Sequence, residues 1–275
     1  MHGGKVSDTM YTVKAALFHC FTEKAARHGG GMRMKLLVVI PAYNEQGNIL
    51  HTLRDLEENC PEADVIVVND CSKDDTPAIL READVPHLNL PVNLGIGGAV
   101  QSGYLYGMQH GYDIAVQFDG DGQHRADCIR DLIQPLLDGE ADMTVGSRFA
   151  EGSDKDGFKS SAVRRVGIRV LSFLIKAVTG QRIRDATSGF RAVNRRLMAY
   201  YAENYAQDFP EPEAIVLAIN NGFRVKEVPA RMNERGSGES SIAKLMTVYY
   251  MIKVSLAILV AGVHTPKGNR KKANA

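Results

Sequence analysis

The sequence predicts an α/β protein: a mostly parallel sheet flanked by helices, with amphipathic and apolar helices toward its C-terminus. Three observations carry that expectation. Short apolar runs alternate with amphipathic stretches from residue 34 onward, the pattern of strand followed by helix. The units repeat about every 30 residues, which suits parallel strands joined by right-handed crossover helices. At 275 residues the chain is long enough to bury such a sheet on both faces.

Each element follows from local chemistry. Leu36–Ile40 is an apolar strand, and Asn48–Glu58 is a helix with Ile49, Leu50, Leu53 and Leu56 on one face. Asp64–Val68 is the second strand, ending at Asn69-Asp70; Asp74-Asp75-Thr76-Pro77 opens the next helix with Pro in its first turn. His87–Leu90 is the third strand, followed by glycine-rich Asn93–Gly98 and a helix through Met108, and Ile114–Phe118 is the fourth. Ligands of such sheets bind beyond the carboxyl ends of the strands, where Tyr43, Asp70 and Asp119 fall. The second half is less regular: Asp142–Ser147 and Arg224–Val228 are strands, Phe158–Val178 a basic amphipathic helix, and Leu245–Val263 an apolar segment. Residues 1–33, which run into His28-Gly-Gly-Gly-Met32, are expected to form a flexible extension. Residues 34–242 are expected to form the main domain, and 243–275 an apolar helix with a basic tail.

A net charge of +1 gives no global attraction to nucleic acid, so no nucleic-acid partner is expected. The four cysteines, Cys20, Cys60, Cys71 and Cys128, form no C-x-x-C pair and no zinc-like spacing, and read as free thiols of a reducing compartment. No secretory leader is expected, because Lys14–Phe21 is short and interrupted by polar residues.

The chemistry concentrates in Gln117–His124, Q-F-D-G-D-G-Q-H. In an extended segment residues two apart point the same way, so Asp119, Asp121 and Gln123 converge. Two carboxylates and an amide oxygen suit Mg²⁺ or Mn²⁺, which also take phosphate oxygens. Gly120 and Gly122 let a diphosphate approach the backbone. Pro41-Ala42-Tyr43-Asn44-Glu45 ends the first strand with a ring for base stacking and a carboxylate for a ribose or base. Asp70 is placed to accept hydrogen bonds from a base edge, and equally to cap a helix.

In order, V-V-I-P-A-Y-N-E, V-V-N-D, N-L-G-I-G-G-A, Q-F-D-G-D-G-Q-H, V-G-S-R and D-A-T-S-G-F-R resemble the inverting nucleotide-sugar glycosyltransferases of family 2, with the GT-A (Rossmann-like) fold. The nearest likeness is to the dolichol-phosphate mannosyltransferase branch and its bacterial polyprenyl-phosphate relatives. The resemblance runs from Lys35 to Ile242, with one departure: the usual acidic pair after the second strand reads Asn69-Asp70. It implies a UDP- or GDP-hexose donor lying on Pro41, Ala42, Tyr43, Glu45, Asp70, Asp119 and Gly120. The divalent ion would be held by Asp119, Asp121 and Gln123. Arg148 and Arg235 are the expected cations for the leaving diphosphate. Arg164, Arg165, Ser188, Arg191 and Ser240 are expected to meet the acceptor or its phosphate.

The acceptor decides the chemistry. A lipid phosphate is already anionic and needs cations; a sugar hydroxyl, as in a transferase extending a cell-surface polysaccharide, needs a base. Asp185 is the candidate base, and an arginine-paired structural role is the other reading. Asp121, Asp185 and Arg148 form the expected catalytic set. The basic Ser160–Val178 helix and Leu245–Val263, interrupted by Lys253, suggest peripheral contact with the inner face of the cell membrane. A loop within Phe149–Lys159 is expected to cover the donor.

Overall fold

The computed structural model describes residues 34–150, 162–206, 209–233 and 244–264. Seven strands form one sheet in the order β3-β2-β1-β4-β6-β5-β7. They are β1 (Leu36–Ala42), β2 (Asp64–Asn69), β3 (His87–Asn89), β4 (Ile114–Gln117), β5 (Met143–Ser147), β6 (Arg191–Asn194) and β7 (Val225–Pro229). All pairings are parallel except those of β6, which runs antiparallel to both β4 and β5. The helices are α1 (Ile49–Asn59), α2 (Thr76–Glu82), α3 (Gly95–Gln109), α4 (Ile129–Leu137), α5 (Ala162–Thr179), α6 (Arg195–Asn204), α7 (Pro210–Asn220) and α8 (Lys244–His264).

β1 shows why the sheet sits in the middle. Leu36, Val38 and Ile40 face one core, with Leu53, Leu56 and Ile129, while Leu37 and Val39 face the other, with Val100, Tyr104 and Met198. A strand apolar on both faces is the mark of a sheet covered by helices on both sides. α3 lies close to β1 because it carries Gly103, where a Cβ would sit on the Val39 side chain. Strand order reverses direction between β1 and β4, and the crevice at their carboxyl ends is the favoured ligand site of such sheets.

The strands expected from the sequence are present, with ends shifted by a residue or two. β6 and helices α4, α6 and α7 were not anticipated. β6 has four residues and opens on a buried arginine, so no apolar alternation announces it. The helices expected at Phe158–Val178 and Leu245–Val263 are α5 and α8. Residues 1–33, the covering loop expected in Phe149–Lys159 beyond Ala150, and the basic tail lie outside the described residues.

One buried carboxylate ties the irregular half together. Asp142, 2 % exposed, accepts the Arg224 amide N–H (2.8 Å), the Asn194 amide (2.9 Å) and the Arg196 guanidinium (3.0 Å). It thus joins the start of β5 to the end of β6 and the start of β7. Burial alone would raise its carboxyl pKa, yet the Arg224 amide, Asn194 and Arg196 outweigh burial and hold it below the ordinary value. A depressed folded-state pKa contributes stability above the unfolded value and loses it as pH falls through the folded one. Asp142→Asn is therefore expected to cost about 2 kcal/mol at pH 7. In urea titrations across pH, the gap to the parent should close below about pH 4.

Candidate active site

Beyond β1 the chain turns outward at Tyr43, which is 45 % exposed and available for stacking. The turn is stitched to the loop after β2. The Asn44 amide donates to Ser72 Oγ (3.0 Å), Lys73 N–H to Asn44 Oδ1 (2.9 Å), and the Glu45 amide to Thr76 Oγ1 (2.9 Å). Asn44 has φ 58°, a left-handed conformation that asparagine tolerates. The Glu45 carboxylate accepts the Asn48 side-chain amide (2.9 Å). Asp70, 3 % exposed, accepts the Leu94 amide N–H just before α3 with Oδ1 (2.7 Å). Asn69 bonds Asn89 and accepts the Ser72 amide. It fixes the end of β2 through uncharged contacts that a carboxylate could not all reproduce.

Beyond β4 the D-G-D-G-Q segment folds under the same roof. A Cβ on Gly120 would meet Pro41 O at 3.4 Å and Glu45 Cγ at 3.5 Å, so this glycine packs against the β1 turn. Gly122 has φ +76°, which favours glycine. Asp121 is 8 % exposed and accepts the Gln123 amide (3.0 Å). The segment is pinned from above by Asn233, whose amide donates to Gln123 O (2.8 Å).

Asp119 is held by its surroundings. Its amide donates to His124 Nδ1 (3.0 Å), which leaves the neutral ring's proton on Nε2, 3.5 Å from Asp119 Oδ2. His124 is buried between Phe118 and Phe190. On the other side the loop before β6 closes in: a Cβ at Gly189 would lie 2.7 Å from Asp119 Oδ2. Asp119 Oδ1 is buried and has no hydrogen-bond partner.

Beyond β5, Arg148 meets Asp185. Nε and Nη2 donate to the two carboxylate oxygens, both at 2.7 Å, the Arg148 amide adds a third bond (3.0 Å), and Nη2 also reaches Thr187 Oγ1 (3.0 Å). The pair is nearly dry, with side chains 7 % and 0 % exposed. Both Asp185 oxygens are engaged by Arg148 and the side chain is fully buried, the arrangement of the arginine-paired structural reading. Arg191 and Ser188 are buried as well. Arg191 is 0 % exposed, with its guanidinium on Ser188 O (2.6 Å) and Ala186 O (3.2 Å). Ser188 is 1 % exposed and accepts the Phe190 amide (3.3 Å). Both make their bonds within the loop before β6. Arg164 and Arg165 fall within α5, but their side chains, like all of Arg235 and Ser240, lie outside the described residues.

Sequence reasoning missed Glu211, in the first turn of α7. Burial raises its carboxyl pKa, Arg191 opposes the rise and the Asp119 charge adds to it. D-F-P-E-P-E reads locally as an ordinary helix start, with proline and acids in the first turn, and nothing local marks a site.

Among the described residues no cluster of three His, Cys, Asp or Glu is arranged to hold a metal ion alone. The donors at hand are two carboxylates and an amide, with one orphaned carboxylate oxygen. Such a set suits an ion shared with a diphosphate rather than a closed protein cage.

The sheet order, with the D-x-D pair beyond β4 packed against the turn that follows β1, is that of a GT-A fold, and the comparisons with known proteins make the chain a nucleotide-sugar-dependent glycosyltransferase. The chain belongs to glycosyl transferase family 2, whose model matches residues 37–201. It is similar to the polyprenol monophosphomannose synthase of Mycolicibacterium smegmatis, 30% identical over 80% of this chain and 86% of that protein. It is also similar to the UDP-N-acetylglucosamine–dolichyl-phosphate N-acetylglucosaminyltransferase of Methanococcus voltae, 31% identical over 71% and 84%. Glucosyl-3-phosphoglycerate synthase of Mycobacterium tuberculosis, solved with Mn²⁺, UDP and glucosyl-3-phosphoglycerate, shares the fold. Its TM-score is 0.63 at 19% identity, covering 88% of this chain and 83% of that one.

The closeness of Gly189 to Asp119 makes a direct test. Gly189→Ala is expected to leave the circular dichroism spectrum and thermal unfolding near those of the parent. Mn²⁺-dependent nucleotide binding, measured by calorimetry, should weaken about tenfold or more as Asp119 is pushed aside.

Proposed function

We propose that the protein transfers a hexose, with inversion, from a UDP- or GDP-sugar to a polyprenyl phosphate at the cytoplasmic face of the membrane. The observation that carries this reading is the closed Arg148–Asp185 pair. The one carboxylate that sequence alone nominated as a base is locked, and a phosphate acceptor, already ionised, requires none. The names of the similar curated proteins, which act on polyprenol or dolichyl phosphates, support the same acceptor class.

Donor binding follows from the crevice. Tyr43 stacks on the base, Asp70 and Glu45 hold the nucleoside, and Gly120 admits the diphosphate to the backbone. Asp119, Asp121 and Gln123 would hold Mg²⁺ or Mn²⁺, which when bound neutralises charge on the leaving nucleoside diphosphate. The structural neighbours crystallised with Mn²⁺ or Mg²⁺ and UDP favour an ion of that kind. Arg148, held by Asp185 and Thr187 and 7 % exposed, serves here to fix the wall of the site at the carboxyl end of β5.

Membrane contact would use α8. Leu256, Leu259 and Val260 are 60 %, 46 % and 48 % exposed, and their spacing places them on one helix face. No helix among the described residues is long and apolar enough to cross a membrane, so contact at the interface is the reading supported here.

Three outcomes are expected. Radiolabel from UDP-glucose, UDP-N-acetylglucosamine or GDP-mannose should enter the organic phase with undecaprenyl phosphate and Mn²⁺ or Mg²⁺, and should be lost in Asp121→Ala. Asp185→Asn should lower kcat by less than about 100-fold, whereas loss of a general base costs roughly 10²–10⁴. Leu256→Asp combined with Leu259→Asp should reduce co-sedimentation with phosphatidylglycerol vesicles while sparing transfer in detergent.

A further inference from the structure

Asp70 directly follows β2, beside the turn that carries Tyr43. Its amide N–H donates to Ala42 O (2.9 Å), so the stacking ring and this carboxylate stand at the ends of neighbouring, paired strands. Stacking tolerates any base, because every base has a flat face. Which base is chosen is decided by hydrogen bonds at its edge.

The oxygens around Asp70 are nearly all engaged. Asn69 Oδ1 accepts the Ser72 amide N–H (3.1 Å), and Asn89 Oδ1 accepts the Asn69 side-chain amide (2.8 Å). Ser72 Oγ accepts the Asn44 amide N–H (3.0 Å). Asn93 Oδ1 accepts the Gly95 amide N–H (3.2 Å), while the Asn93 side-chain amide donates to Asp70 O (3.2 Å). The Asp70 carboxylate is itself divided. Oδ1 takes the Leu94 amide N–H at 2.7 Å, whereas Oδ2 has no partner among the described residues. Asp70 is 3 % exposed, yet this oxygen is not sealed from solvent as Asp119 Oδ1 is.

A base edge therefore meets a single free charged acceptor. Guanine presents two adjacent donors, N1–H and the N2 amine, and a carboxylate pairs with two parallel donors by using both of its oxygens. Cytosine presents an acceptor at N3, which Oδ2 repels. Uracil presents one donor, N3–H, between two carbonyls. We propose that Asp70 selects uracil, so that the sugar donor is a UDP-sugar, and that the Leu94 amide enforces the choice by holding Oδ1. Asn69 contributes by what it is not: an acid at this position would bring further charged oxygens to the end of β2, and the amide, bonded to Asn89 and Ser72, brings none. The inference rests on the proposed nucleotide-sugar reading of this crevice and names the nucleotide.

The test is calorimetry on the full chain with Mn²⁺, comparing UDP, 3-methyl-UDP, CDP and GDP. A hydrogen bond to a charged group contributes roughly tenfold or more in affinity, so UDP is expected to bind about tenfold or more tightly than each of the others. Asp70→Asn adds a second readout. Only the asparagine oxygen can meet the Leu94 N–H, which turns the NH₂ group toward the base. That group matches cytosine N3 and opposes uracil N3–H. The variant is therefore expected to lose about tenfold for UDP and to bind CDP more tightly than UDP. GDP binding the parent as tightly as UDP would overturn the inference while leaving a transferase that uses a guanine donor. So would 3-methyl-UDP binding as well as UDP, or an equal loss of every nucleotide in a folded Asp70→Asn, the mark of a purely structural residue. The comparison on the parent decides the matter even if the variant does not fold. If no nucleotide binds the parent in the presence of Mn²⁺, the proposed function falls, and the inference with it.

Discussion

The bidentate bond between Arg148 and Asp185 is the interaction on which the site depends. A buried ion pair is rarely a net source of stability, because desolvating both charges offsets most of their attraction. Here it fixes geometry. Arg148 directly follows β5, and Asp185 lies in the loop that turns into β6. The pair therefore sets the height of Thr187–Gly189 above the sheet, and Gly189 is the residue pressed against Asp119. Truncating either side chain to alanine, unlike the shape-preserving Asp185→Asn, would empty the joint and release the wall of the acidic site.

The antiparallel strand extends the same logic. Because β6 lies between β4 and β5, its first residue, Arg191, sits opposite Gln117 at the end of β4. A buried cation thus lies behind the D-x-D segment, where its charge counters that of Glu211. His124 anchors Asp119 from the other side. The acidic pair is a braced element with supports on both faces, and such bracing is what a site for a shared cation and a diphosphate requires.

Much of this was legible in the chain itself. The strands β1 to β5 and β7 announce themselves by apolar runs, and the acidic, turn-forming residues at their ends mark the crevice. Tyr43, Asp70, Asp119 and Asp121 fall where a parallel sheet presents its ligands. Illegible parts share one cause: their roles are set by partners remote in sequence. Asp185 and Arg148 are 37 residues apart, and no local pattern says that one silences the other. Arg191 reads as a surface phosphate ligand until the fold buries it. Glu211 reads as a helix-start acid until the fold buries it within reach of the Arg191 and Asp119 charges.

The central claim is that transfer proceeds without a protein base. The most direct measurement is the single-turnover transfer rate to undecaprenyl phosphate between pH 6 and 9. The account predicts a rate that levels off once the phosphate's second ionisation, near pH 6, is complete. A rate that keeps rising above that ionisation, and loses the rise in Asp185→Asn or Glu211→Gln, would contradict it.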